Sequence, residues 1–356
     1  MKFLLFPASL VNPVHPVKIF LQFAHLNHLR SFNMLEIDFT DIDWLLIRQA
    51  LSLALLKNRP VHILRGRAFL ERNPEYLPLF DDIAAAVSSI GAGMLFPRNE
   101  SIVFEPHKAQ SGIYRLESAP FSSSVEILLF LMPALFYNKV RSILYQRGVT
   151  HSVLSYPTGF VKEFLLKALE QLGFYASLTL RRFGFYGSGG GALESRIYPQ
   201  EAKRAPIFSG IPCAISGATI YISRLGMELA LEEKRLIAEF TGLRQDRISI
   251  MDVQDSDGCG NSIQVYIDLG GIHLILFREV RIYNEKGDRA FNKDNVPAIL
   301  SGLSAEVNTL ILDRLLPEHI IRELYPYIIF SGADLPHKIE APPVIRTGKL
   351  CELILG

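Results

Sequence analysis

Three cysteines, a glycine triplet and scattered histidines are the residues of this 356-residue chain whose types could do chemistry. Cys213, Cys259 and Cys351 stand far apart with no CxxC pair, so their spacing supports neither a disulfide framework nor a zinc site. A reducing, cytoplasmic compartment fits that usage. Cys351 is a nucleophile only in principle, because Leu350-Cys351-Glu352-Leu353 reads as a strand that buries the thiol. The triplet Gly189-Gly190-Gly191 suits a tight connection between strands, where φ must be positive or side chains would collide. A phosphate-cradling loop would need a helix start with a lysine just after it, and none follows.

The elements that must position such residues follow from periodicity. With 49% hydrophobic residues the chain can bury one large core or two unequal ones, and 37 basic against 36 acidic residues leave a charge of +1, silent on a nucleic-acid partner. Trp44 to Leu56 reads as a mostly apolar helix against a sheet, and Pro60 with Val61-His62-Ile63-Leu64 ends it and begins a strand. Further helices are expected over Leu79 to Ile90, Ser123 to Phe136 and Thr158 to Leu172. Strands are expected at Leu35 to Phe39, Ser101 to Phe104, Ile113 to Leu116, Val140 to Tyr145 and Ser177 to Arg182. Such alternation predicts an α/β, layered α+β, fold in which helices cover sheets.

Residues 1–33 differ, with Pro7, Pro13 and Pro16 interrupting short apolar runs; they read as a poorly ordered extension rather than a signal peptide. No apolar stretch approaches the roughly 18 residues that span a bilayer, so no membrane partner is expected.

The run Arg181-Arg182-Phe183-Gly184-Phe185-Tyr186-Gly187-Ser188-Gly189-Gly190-Gly191 resembles the RRGFYPxGGG signature of the RNA 3'-terminal phosphate cyclases. Arg48 to Leu53 with Pro60-Val61 is similar to that family's first helix and strand, and Arg65-Gly66-Arg67-Ala68 to its arginine segment in the second strand region. Asp255 to Ser262 resembles its GPGN turn and Glu318 to Leu324 its EHLADQL-type helix, so the resemblance spans about residues 35–354. It implies a large domain of repeated βαβαββ units, 34–200 with 278–356, carrying a smaller inserted α/β domain at 201–277. Within that insert, Ala218 to Ile222 reads as a strand, Leu229 to Thr241 as a helix, and Ile263 to Ile267 with Ile272 to Phe277 as a hairpin across Gly270-Gly271. Pro199 to Arg204 and Asn284 to Asp288 read as linkers.

The family reaction places AMP from ATP on an enzyme histidine and passes it to an RNA 3'-phosphate, which the 2'-hydroxyl then closes into a ring. Such chemistry needs a nucleophilic imidazole, arginines and a metal against developing charge. In the family's HxxTN segment, matched here by Val344-Ile345-Arg346-Thr347-Gly348, the histidine position reads Val344. The glycine-rich GEGGGQ turn is replaced by Phe39 to Leu45, and family glutamines fall on Leu45 and near Leu129; the later aspartate-glutamine pair becomes Arg322-Glu323. Arg48 and Arg67 survive where the family contacts phosphate, each either binding phosphate or paired with a carboxylate such as Asp43 or Glu71. His151, His319 and His337 are the histidines placed to reach such a cleft.

The resemblance therefore implies RNA processing, with RNA 3' ends or a ribonucleoprotein as partner and the adenylylation chemistry weakened or lost, as in non-catalytic cyclase-like factors of ribosome assembly. The alternative is an active cyclase using ATP and Mg, with His319, His337 or another register supplying the imidazole. A third reading, from architecture shared with enolpyruvyl transferases, is a small-molecule enzyme.

Overall fold

The computed structural model describes residues 34–203, 213–283, 287–289, 291–313, 316–333 and 342–355. The expected extension 1–33 and parts of both expected linkers lie outside the described residues.

A topological motif occurs twice. Its first copy runs β1 (Leu35–Ile37), α1 (Trp44–Lys57), β2 (Val61–Ile63), α2 (Gly66–Arg72), α3 (Leu77–Ser89), β3 (Gly93–Arg98) and β4 (Ser101–Pro106). The second runs β5 (Ile113–Glu117), α4 (Ser124–Phe136), β6 (Ser142–Gly148), α5 (Thr158–Phe160), a π turn at Val161–Leu165, α6 (Leu166–Gln171), β7 (Ala176–Arg182) and β8 (Gly191–Ile197). The sheets have equivalent orders, β1-β2-β4-β3 and β5-β6-β8-β7, each with one parallel pair followed by two antiparallel ones. A parallel pair needs a crossover, which α1 and α4 supply. The layered α/β class expected from the alternation is the one observed.

Both crossover helices are buried all round. Trp44 starts α1 because Asp43 caps it, the side chain accepting from Leu46 N at 2.8 Å. Every residue of α4 is buried, Glu126 among them, as its nearly unbroken apolar run dictates. α1 packs against α4, and Ser52 Oγ donates to the Phe130 carbonyl at 2.7 Å.

The third sheet, β10-β9-β11-β12, is built from β9 (Ala214–Ser223), α7 (Met227–Thr241), β10 (Ile248–Asp252), β11 (Gly260–Asp268) and β12 (His273–Glu279). β9 and β10 are parallel across α7, and β11 and β12 form the hairpin expected across Gly270-Gly271. Helices α8 (Val296–Asp313), α9 (Glu318–Ser331) and α10 (Pro342–Leu355) follow. Among the described residues no helix is long and apolar enough to cross a membrane.

Three local readings are corrected. Cys351 sits in helix α10, not in a strand, although it is buried as expected. Arg346 to Lys349 and Glu352 punctuate α10, so its apolar positions mimic a short strand when only Leu350 to Leu353 are read. Arg67 lies in helix α2, because Arg65 at φ 59° turns the chain immediately after β2. β3 escaped notice because it contains Pro97, which an edge strand tolerates. The glycine triplet does what a strand connection requires: Gly189 and Gly190 have φ of +66° and +73°, and a Cβ on Gly190 would meet Asp257 Oδ2 at 1.9 Å.

Candidate active site

A cavity of about 390 Å³ opens where the start of α1, the segment Val153 to Tyr156, the end of β12 and helices α8 and α9 converge. Arg48, Glu126 and His319 line it, with Trp44 and Leu45 at the start of α1. Leu129 does not; it is 1% exposed, within the core.

Arg48 points inward from α1 and is 2% exposed. It donates through Nη2 to Glu323 Oε2, and its Nε lies 2.9 Å from Glu126 Oε2 without the alignment of a hydrogen bond. Trp44 Nε1 donates to that same Glu126 oxygen at 2.9 Å. One guanidinium thus serves two buried carboxylates. Burial works against the charge of Arg48, but Glu323 and Glu126 outweigh it and hold its pKa above the ordinary value. Burial pushes the Glu126 carboxyl up, and Arg48 pulls it part of the way back.

A second ion network closes the mouth of α1. Arg322 on α9 donates to Asp43 Oδ1 at 2.7 Å, lies 3.6 Å from Glu318, and donates through Nε to Thr347 Oγ1 at 3.2 Å. Gln49 donates to the Arg322 carbonyl at 2.6 Å and accepts from Thr347 at 3.4 Å. A helix start is a ready anion site because its first N–H groups are unpaired and its dipole is positive there. At α1 the carboxylate of Asp43 already occupies that position. The remaining arginine on the wall, Arg278, pairs with Glu306 at 2.8 Å. Every described arginine lining the cavity therefore already faces a carboxylate, so none of them presents an unpaired guanidinium to the triphosphate of ATP.

The expected site residues separate. Arg48 and His319 share the cavity. Burial lowers the pKa of His319, opposed by Glu306 and reinforced by Arg278 and Arg322. Tyr156 OH donates to the His319 carbonyl at 3.1 Å. Val344 is 2% exposed on α10 and does not line the cavity. Arg67 is exposed elsewhere, donating to Glu71 at 2.8 Å one helical turn on. His151 is buried, its pKa lowered to about 3 by burial, with Nδ1 hydrogen-bonded to Thr150 Oγ1 at 2.9 Å. Burial pushes the Cys351 thiol up to about 12, leaving it protonated at neutral pH. His337 lies outside the described residues. Sequence reasoning missed Glu126, although a lone carboxylate in the apolar run Ser124 to Phe136 signals a buried partner.

Residues 45–322 match the sequence pattern described as RNA 3'-terminal phosphate cyclase. The chain belongs to that family. It is 26% identical over 225 residues to the RNA 3'-terminal phosphate cyclase of Koribacter versatilis, covering 62% of this chain and 63% of that one. To the same-named protein of Methanosarcina barkeri it is 25% identical over 307 residues, 84% and 87% of the two chains, and to that of Ralstonia nicotianae 27% over 310 residues, 85% of each. The matches to Koribacter versatilis and Pseudomonas fluorescens span 63% and 64% of those relatives, just under two thirds. The family match ends at Arg322, so α10, with Val344, lies beyond it.

Proposed function

We propose that this cyclase-family chain acts in RNA processing by binding RNA 3' ends, alone or within a ribonucleoprotein, without forming the enzyme adenylate. The arrangement around Arg48 carries this reading: its guanidinium is enclosed by Glu126 and Glu323 while Asp43 caps the adjoining helix start. A polyphosphate entering there would meet carboxylates in a water-poor site, where like charges repel strongly. In this reading β9 to β12 form the inserted domain at 201–277, carried by a large domain of 34–200 and 278–356. The three cysteines are free thiols, which supports a cytoplasmic setting.

Phosphate binding then divides unequally between the two arginines. Arg67 is half-exposed and held only by an exposed pair, which an RNA phosphate displaces cheaply. Arg48 reaches phosphate only if two buried carboxylates yield. A second reading, an active cyclase, is favoured by one observation: His319 presents a neutral imidazole on the cavity wall, the form a nucleophile needs.

Incubation with labelled ATP followed by denaturation separates the two. No protein-bound adenylate is expected, together with retained binding of an oligoribonucleotide bearing a 3'-phosphate. A denaturation-stable adenylate lost in His319→Ala would establish the active cyclase instead.

A further inference from the structure

A second cavity, of about 490 Å³, opens between the β9-to-β12 sheet and the turn Val161–Leu165, within the size range of small-ligand pockets. The turn is π-helical, a local irregularity that often marks functional positions, and it puts Lys162 and Glu163 at the cavity edge.

Away from Lys162, Glu163 and His273 the walls are aromatic, amide, hydroxyl and aliphatic. Cross-strand register puts Tyr221, Gln264 and Tyr266 on one face of the sheet, turned toward this cavity. Phe183, from the end of β7, stacks on His151 with ring centroids 5.0 Å apart at 22°, and lies 5.5 Å from Tyr221. His151 has a pKa near 3, so it is an uncharged plate rather than an acid. Lys162 at the edge is exposed and pairs with its neighbour Glu163 at 2.7 Å.

Gln264 supplies the directional element. Its side chain is 1% exposed, and among the described residues its amide donates from Nε2 to Ser262 Oγ at 3.4 Å. Its Oε1 comes so close to Gly159 that a Cβ there would lie 2.6 Å away, so glycine at 159 leaves the amide room. A buried primary amide offers one acceptor and two donors in one plane, the pattern that matches the edge of a base. Flat neutral rings beside it suit stacking, which every base permits.

We propose that this cavity takes one unpaired nucleobase of a bound RNA strand, stacked on Phe183 and Tyr221 with its edge met by the Gln264 amide and the adjoining phosphate met by Lys162. The proposal rests on the RNA reading above.

The test uses the full chain and a short single-stranded oligoribonucleotide ending in a 3'-phosphate, with fluorescent 2-aminopurine placed in turn at each terminal position. Stacking quenches the probe. Quenching at one position, relieved by Phe183→Leu with affinity about tenfold weaker, is the expected result. Phe183→Leu keeps apolar volume, and a thermal melt checks that it folds; if it does not, exposed Lys162→Ala carries the test, weakening binding and lowering the salt slope by about one. Oligonucleotide that binds with no position quenched, or with quenching and affinity untouched by the variants, overturns the subsite and leaves the RNA reading standing. An oligonucleotide that does not bind the wild-type chain overturns both.

Discussion

The cleft beside α1 and the sheet of β9 to β12 both bury carboxylates, but they manage the charge in opposite ways. In the cleft Glu126 and Glu323 share Arg48, and Asp43 with Glu318 faces Arg322. On the sheet, Glu233 of α7 is met by Asn261 Nδ2 at 3.0 Å and Glu279 by the Ser262 hydroxyl, and burial pushes their carboxyls up to about 7 and about 8. Where a cation is present it offsets part of the effect of burial, as Arg48 does for Glu126; where none is, neutral donors alone meet the carboxyls and burial pushes them toward neutrality. The arginines of the first region are thus already paired, whereas the face of the sheet that carries Tyr221, Gln264 and Tyr266 lies opposite the one on which Glu233 meets Asn261.

The largest effect expected to sharpen this contrast comes from Arg48→Ala. Removing the shared cation leaves two buried carboxylates uncompensated, and denaturant unfolding should show a loss of about 3–5 kcal/mol. A loss under about 1 kcal/mol would mean that the pair is hydrated and the cleft open. Next comes the pH dependence carried by Glu233. Its folded pKa, about 7, lies above the ordinary value, so the stability it contributes is fully present below that ordinary value and is lost as pH rises through about 7. Glu233→Gln should flatten the fall between acid and neutral pH by on the order of 2 kcal/mol. An unchanged profile would show that this carboxyl stays ionised. The smallest effect belongs to Arg67→Ala, with stability altered by less than about 0.5 kcal/mol. RNA affinity should nevertheless drop, with a salt dependence shallower by about one unit of slope. An unchanged slope would remove Arg67 from the phosphate contacts.

Much of the fold was legible before any coordinates. The apolar runs of α1 and α4, the strand alternation and the hairpin across Gly270-Gly271 stand where periodicity puts them, and the run Arg181 to Tyr186 with its glycine triplet marked the family that the match over 45–322 shows. The candidate site was legible only as a set of positions. Arg48 and Arg67 looked equivalent in sequence, each an arginine with a carboxylate nearby. Glycine 159 and Gln264 carried no signal at all, since neither belongs to a pattern of its own.

The sequence by itself determined most of the helices and strands and the family, because burial and backbone periodicity act over a few neighbouring residues. Only the tertiary structure decided which charges meet. The partners of Arg48 and Trp44 lie 275 and 82 positions away, and Arg67 meets Glu71 one turn along its own helix. Whether an arginine is free for a phosphate or enclosed by carboxylates depends on distances in space, which decide Coulomb energy and desolvation together and which no local pattern encodes.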